Sequence, residues 1–187
     1  MRLARTIYDF LEMVVVACAI TMITFMFLGR LTVVDGPSMM NTLIDKEVLA
    51  VTNLAYEPKI GDIVVFQSPH SHVKGAIVKR VIATEGQTVD IDFDNWLVYV
   101  DGEPLYADEL GNPIVEPYVN HESWHGMYKY DVDFPIVVPE GEVFLMGDNR
   151  NHSNDSRGTD IGTVDTRFIF GKVLFRLQPL SKFGPVN

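Results

Sequence analysis

Apolar positions follow two different patterns along the 187-residue chain. From Met13 to Gly29 the stretch MVVVACAITMITFMFLG holds no charge. A membrane-spanning helix needs roughly 20 apolar residues, which Phe10 and Leu11 help to supply when Glu12 lies at the interface. From Thr32 onward helical periodicity fades and short apolar runs alternate with turn residues. Asp62 to Phe66 is one run, closed by Ser68-Pro69, and Ala76 to Ala83 is another, ended by Thr84-Glu85-Gly86-Gln87. Val89-Asp90-Ile91-Asp92-Phe93 alternates with period two, the mark of a half-buried strand. Leu97 to Val100 runs into Asp101-Gly102, a hairpin signal. Val143 to Met146 and Phe168 to Leu177 complete the set, with Gly171 expected at a bulge. Leu105 to Pro135 is aromatic, punctuated by Pro and Gly, and irregular. The pattern predicts a mostly β protein: an N-terminal tail at 1–7, a single transmembrane helix at 8–30, and an antiparallel β-sheet domain at 31–187 with an irregular insertion at about 105–135.

Charge orients this arrangement. Arg2 and Arg5 precede the apolar stretch, which places the N-terminus in the cytoplasm and the domain after Arg30 outside it, although Arg30 weakens the contrast. A cleaved secretory signal has a shorter apolar core, about 7–15 residues, ending at a small-x-small site. Here the stretch leaves through Phe27-Leu28-Gly29-Arg30-Leu31, and Ala17-Cys18-Ala19 sits in its middle, so an uncleaved single-pass anchor in the cell membrane is expected. A net charge of −10 with scattered basic residues argues against a nucleic-acid partner. One cysteine, Cys18, excludes a disulfide framework and a cysteine-rich zinc site.

Three segments carry candidate chemistry. Ser38 follows Gly36-Pro37 shortly after the anchor, in a turn whose free backbone N–H groups could bind an oxyanion. The segment alone equally describes an ordinary turn serine. Lys79 alternates with Ile77 and Val81, so a strand points all three the same way, while Arg80 shares the other face with Val78 and Ile82. A lysine on an apolar face loses hydration and its pKa falls, the state a general base requires. The competing account is an edge-strand lysine that reaches back to water. The third segment, Gly147 to Gly158, is a dense polar loop (GDNRNHSNDSRG). It reads as a self-capping turn, or as the source of a second serine that orients the lysine, with Asp155 and Arg157 paired to brace it.

Together these segments resemble the bacterial type I signal peptidase family, in its small Gram-positive form, a group of Ser/Lys-dyad peptidases (family S26). Ser38-Met39-Met40-Asn41-Thr42-Leu43 is similar to the family's nucleophile box, and Gly61-Asp62-Ile63-Val64-Val65-Phe66 to its first core strand. Lys79-Arg80-Val81-Ile82-Ala83-Thr84-Glu85-Gly86 resembles the base box, and Gly147-Asp148-Asn149-Arg150 through Ser156-Arg157 the last signature. Gly158, Gly162, Val164 and Gly171-Lys172-Val173 fit as well. The resemblance covers the anchor and nearly all of the outer domain, in matching order.

It implies a membrane-bound serine endopeptidase that removes signal peptides from exported preproteins, cutting after small residues at −1 and −3. Ser38 is then the nucleophile and Lys79 the general base. Ser153 orients Lys79, Asp155 and Arg157 support the loop, and the backbone N–H groups of Ser38 and Gly36 are the candidate oxyanion donors. The substrate pairs as an extended strand. The implied partners are signal peptides and the lipid bilayer, and neither cofactor nor metal is called for. Asn41 replaces the family's usual proline, which removes a φ-fixing residue from the nucleophile loop. Gly36 stands where some relatives carry a serine hydroxyl.

Competing functions are weaker. His121-Glu122-Ser123-Trp124-His125 fits H-E-x-x-H, the zinc peptidase helix. Pro117 and Gly126 bracket it too closely for a long helix, and His70, His72 and His152 offer no evident third ligand. Trp124 and its aromatic neighbours could instead touch the bilayer interface. Ser/Lys dyads also serve self-cleaving transcriptional repressors, but those carry a DNA-binding domain where this chain has an apolar stretch. A non-catalytic membrane-tethered scaffold or paralogue leaves the lysine on an apolar face unexplained.

Overall fold

The protein was described through a computed structural model, which covers residues 2–28, 30–40, 42–54, 56–69, 75–115, 117–119 and 126–186. The chain opens with helix α1 (Arg2–Leu28) and then becomes almost wholly β. The strands are β1 (Arg30–Val33), β2 (Val48–Thr52), β3 (Ile63–Phe66), β4 (Ile77–Thr84), β5 (Thr88–Asp92), β6 (Leu97–Val100), β7 (Glu103–Pro104), β8 (Ile136–Val137), β9 (Glu142–Met146), β10 (Val164–Asp165), β11 (Ile169–Gln178) and β12 (Gly184–Pro185). The larger sheet runs β1-β2-β11-β3-β4-β9-β10, with β12 also paired to β11. The smaller runs β7-β6-β5-β8, and every pairing in both sheets is antiparallel.

All the expected strands form, within one or two residues at their ends. Asp101 and Gly102 both take positive φ (55° and 82°), the pair of left-handed residues that a tight hairpin between β6 and β7 requires. Gly171 sits at a register shift in β11 with φ 147°. A Cβ there would come within 2.2 Å of the Thr52 carbonyl oxygen, so only glycine lets β11 approach β2 this closely. Strands β1 and β2 were not anticipated. Each has only four or five residues, too few periods to stand out, although Leu49 and Val51 do alternate inward along β2.

Strand β4 positions the site. Its residues Ile77 to Ala83 are all buried, because both of its faces are covered. Val78 packs with Leu43, Leu49, Ile63 and Val65, whereas Ile77 and Val81 pack with Val64, Phe66 and Leu145. Ile82 and Ala83 enter a third cluster, with Phe144 and the smaller sheet's Val89, Ile91 and Val98. Lys79 pairs with Val64 across the β3–β4 ladder, among the residues expected from the alternation.

Between 105 and 135 the described residues form no named strand, only an isolated bridge between Ala107 and Pro113. They are nevertheless not a loose surface excursion. Val119 and Met127 are buried in the third cluster, and the ring of Tyr118 lies against the guanidinium groups of Arg80 and Arg150 at 5.3 and 5.1 Å.

The side chains of α1 that are described, from Arg5 to Met22, are exposed on every face. They include Arg5, Asp9 and Glu12 alongside Val14, Val15, Val16 and Ile20. Among the described residues, no helix is long and apolar enough to cross a membrane.

Candidate active site

The Ser38 loop is a tight turn held from several directions. Gly36 has φ 91°, a conformation that L side chains rarely adopt, and it turns the chain into Pro37-Ser38. Met40 N–H donates to the Pro37 carbonyl at 2.9 Å and Leu43 N–H to the Met39 carbonyl at 2.8 Å. Met39 and Leu43 are buried, pinning the loop to the core beneath it. From the far side, Arg176 on β11 donates to the Thr42 carbonyl at 2.6 Å and pairs with the buried Glu47 at 2.8 Å.

Lys79 reaches this loop from β4. Its Nζ donates to Ser38 Oγ at 2.7 Å and to the Val78 carbonyl at 3.0 Å. The residue is 2% exposed. Burial pushes the amine down from its usual range to about 8, opposed by the attraction of Asp155 and reinforced by the repulsion of Arg157. The serine and the lysine are 41 positions apart in sequence, and the fold places their reactive atoms in hydrogen-bond contact.

The Gly147–Gly158 loop encloses the pair. Asp155 and Arg157 are fully buried and form a two-pronged pair, with Nε to Oδ1 and Nη2 to Oδ2 both at 2.8 Å. Burial alone would raise the Asp155 carboxyl, but the Arg157 guanidinium, the Ser153 hydroxyl and the Gly147 N–H hold it below the usual carboxylate range. Arg157 also donates to the carbonyls of Tyr128 and Arg150, so one guanidinium ties the insertion to the loop.

Ser153 is 1% exposed and lies beside Gly147. Its hydroxyl acts on the Asp155 carboxylate, which it helps to hold down, while the two hydrogen bonds of Lys79 Nζ go to Ser38 and Val78. The expected Ser153–Lys79 contact is therefore not made in this state. Gly36 departs from its expected role too: its N–H donates to Asp45 Oδ1 at 2.9 Å, an acceptor that an oxyanion would have to displace. Ser38 N–H makes no hydrogen bond among the described residues.

One supporting pair was missed from the sequence. Arg80, next to Lys79 on the opposite face of β4, grips Asp148 through Nε to Oδ1 at 2.8 Å and Nη2 to Oδ2 at 2.7 Å. The same carboxylate accepts from Thr42 Oγ1 at 2.5 Å. Asp148 thus joins the base strand to the nucleophile loop. The signal was present as the Lys79-Arg80 and Gly147-Asp148 dipeptides, but nothing in a linear reading pairs residues 68 positions apart.

The pentapeptide His121–His125, along with His70, His72 and Asn41, lies outside the described residues. His152 is exposed. Among the described residues, no group of three or more His, Cys, Asp or Glu is placed to hold a metal ion.

Residues 7–178 match the family described as signal peptidase, peptidase S26. A probable signal peptidase I-1 from Synechocystis sp. is 35% identical over 186 residues, covering 95% of this chain and 85% of that protein. Signal peptidase IB from Staphylococcus aureus (strain COL) is 32% identical over 194 residues, covering 96% and 93%. A crystal structure of a signal peptidase I from Enterococcus faecalis V583 aligns with 63% of this chain and 97% of its own, at 26% identity and a TM-score of 0.45. A match that runs through both strands and loops of the serine–lysine site, over nearly the whole sequence, makes this chain a member of the signal peptidase family, peptidase S26, the serine peptidases that remove signal peptides.

Proposed function

We propose that Ser38 is the acylating nucleophile and Lys79 the general base and acid of this signal peptidase. The observation that carries the assignment is the 2.7 Å contact between Ser38 Oγ and the amine of a nearly inaccessible lysine whose pKa lies at about 8. A neutral Lys79 accepts the Ser38 proton as Oγ attacks the scissile carbonyl. The resulting ammonium passes that proton to the leaving amine, the C–N bond breaks, and an ester to Ser38 remains. Lys79, neutral again, takes a proton from the incoming water as its oxygen attacks the ester. It then returns that proton to Ser38 Oγ as the acyl–oxygen bond breaks, which frees the signal peptide and restores the serine.

Charge on the tetrahedral oxygen needs donors. Ser38 N–H is the first, and it is unengaged among the described residues. Gly36 N–H serves only if Asp45 releases it. Ser153 is a positioning residue: while its hydroxyl proton serves Asp155, its oxygen can take a hydrogen bond from Lys79 and turn the amine lone pair toward Oγ. Asp155 and Arg157 hold the loop and set the local charge.

The anchor belongs to the same reading. Helix α1 has 27 residues, about 40 Å at 1.5 Å per residue, and contains the uncharged Met13–Gly29 stretch apart from its last residue. Apolar side chains exposed on all sides of a helix are stable in lipid rather than water. With Arg2 and Arg5 inside, the catalytic domain lies at the outer membrane face, where a preprotein presents its cleavage site.

The direct test incubates detergent-solubilised protein with a preprotein carrying Ala at −1 and −3. Wild type is expected to cleave it, and Ser38→Ala and Lys79→Ala are expected not to. Full turnover by Lys79→Ala would overturn the assignment. Activity abolished by a chelator and restored by zinc would favour the His121–His125 alternative.

A further inference from the structure

The dyad opens into a cleft of about 160 Å³ lined by Val34, Asp35, Ala76, Val78 and Asn154, among others. Asn154 also borders a second, more open depression of about 650 Å³ formed by Tyr128, Lys129, Tyr130, Asp131 and Gly158. The two adjoin at Asn154, which lines both. We propose that the second depression is a binding groove for the mature end of the preprotein, the segment just past the scissile bond, with Tyr128 as its principal contact. This rests on the Ser38/Lys79 assignment and extends it to the leaving-group side.

The direction of the substrate follows from where each half must go. The signal-peptide half stays with the membrane, and β1 follows α1 directly, so Val34 and Asp35 mark the signal side of the cleft. The leaving amine must meet Lys79, which lines the cleft together with Asn154 from the 147–158 loop. Asn154 belongs to that loop, so the chain beyond the cut passes over it toward Tyr128 and Tyr130.

The groove is suited to an extended polypeptide and is held rigidly. Tyr128 and Tyr130 lie with ring centroids 4.5 Å apart. Tyr130 is fixed by its hydroxyl bond to the Ser153 carbonyl at 2.8 Å and by the Arg157 guanidinium 5.6 Å from its ring. Tyr128 is left 48% exposed, an aromatic face fixed beside the cleft and free to cover a peptide. Asp131 is bound by the Thr159 N–H and hydroxyl, and Asn154 donates to Asp160 at 2.8 Å, so the rim is set before substrate arrives.

Two peptides with the same signal half test this. One ends a single residue past the cut, and the other continues for about five residues, a reach of roughly 17 Å at 3.3 Å per residue. Wild type is expected to favour the longer one in kcat/KM. Tyr128→Ala is expected to cost about fivefold or more on the longer peptide, through loss of aromatic contact, and less than about twofold on the shorter. Tyr128→Phe, which keeps the ring, restores the preference. Turnover of the short peptide reports folding and an intact dyad in each variant. Equal losses on both peptides, or no loss on either, would overturn the groove and leave the dyad standing. Turnover of either peptide by Ser38→Ala would overturn the dyad itself.

Discussion

Asn149 donates its backbone N–H to the carbonyl oxygen of Ser38 at 3.0 Å, and its side-chain amide to the carbonyl of Pro37 at the same distance. The nucleophile therefore depends for its position on a loop more than a hundred residues away. Between them stands Gly147, where a Cβ would lie 2.4 Å from the same Ser38 oxygen and 2.1 Å from Ser153 Oγ. Gly147→Ala is expected to push the two loops apart and lower kcat by about 10²-fold, the scale of a roughly 1 Å misplacement. Asn149→Ala removes one side-chain hydrogen bond, worth about 1 kcal/mol, and should lower kcat/KM about fivefold. Steady-state kinetics of both variants, with circular dichroism to confirm the fold, checks the ordering.

The pH profile should follow Lys79. With an amine pKa at about 8, only about a tenth of the molecules hold the neutral base at pH 7, and most do at pH 9. kcat/KM on a neutral peptide should rise close to tenfold per pH unit up to about 8 and then level off. A flat profile between pH 5 and 9 contradicts a lysine base. The same depressed pKa has a stability consequence. The unfolded chain binds the Lys79 proton more tightly, so this group's contribution to stability grows as pH rises from about 8 toward the unfolded value of 10.5. At neutral pH the buried amine is a burden, and Lys79→Met should abolish cleavage yet raise stability by on the order of 1–3 kcal/mol in urea unfolding.

Much of this site can be read in linear form, and what cannot has a physical reason. Lys79 is legible because alternation with Ile77 and Val81 is a local property of a strand. The bulge at Gly171 and the Asp101-Gly102 hairpin are legible because glycine and aspartate permit backbone angles that other residues resist. The Arg80–Asp148 pair and the Tyr118 ring between two guanidinium groups depend on β4 pairing with β9 and on the insertion folding back, both set by tertiary packing. Gly36 shows the reverse limit. Its turn was foreseeable, but the carboxylate that occupies its N–H comes from Asp45, later in the same loop.

Asp155 and Arg157 act on Lys79 with opposite signs, which separates an electrostatic role from mere bracing. Asp155 draws the Lys79 pKa up and Arg157 pushes it down. Asp155→Asn should move the acid limb of the pH–rate profile to lower pH, and Arg157→Gln should move it above 8. Both variants lose stability, since each leaves a buried partner charge uncompensated. If both lower the rate without moving the limb, the pair only supports the loop.

Arg80 and Asp148 offer the sharpest stability test, because each is nearly or fully buried and each is the other's main counter-charge. Arg80→Met strands the Asp148 carboxylate beside Thr42, although Arg150 remains 3.7 Å away. A broken buried pair costs about 3–5 kcal/mol, and the partial cover from Arg150 places the expected loss toward the lower end. Asp148→Asn keeps the shape and leaves the Arg80 guanidinium with the Gly61 carbonyl at 2.7 Å and the Tyr118 ring. The double variant Arg80→Met/Asp148→Asn should be more stable than the sum of the single losses implies, by at least about 1 kcal/mol, because neither charge is then left alone. Urea unfolding of the four proteins measures this coupling. Activity supplies an independent readout: Asp148 holds Thr42 and Arg80 does not, so Asp148→Ala, which removes the acceptor, should lower kcat more than Arg80→Met under conditions where both are fully folded.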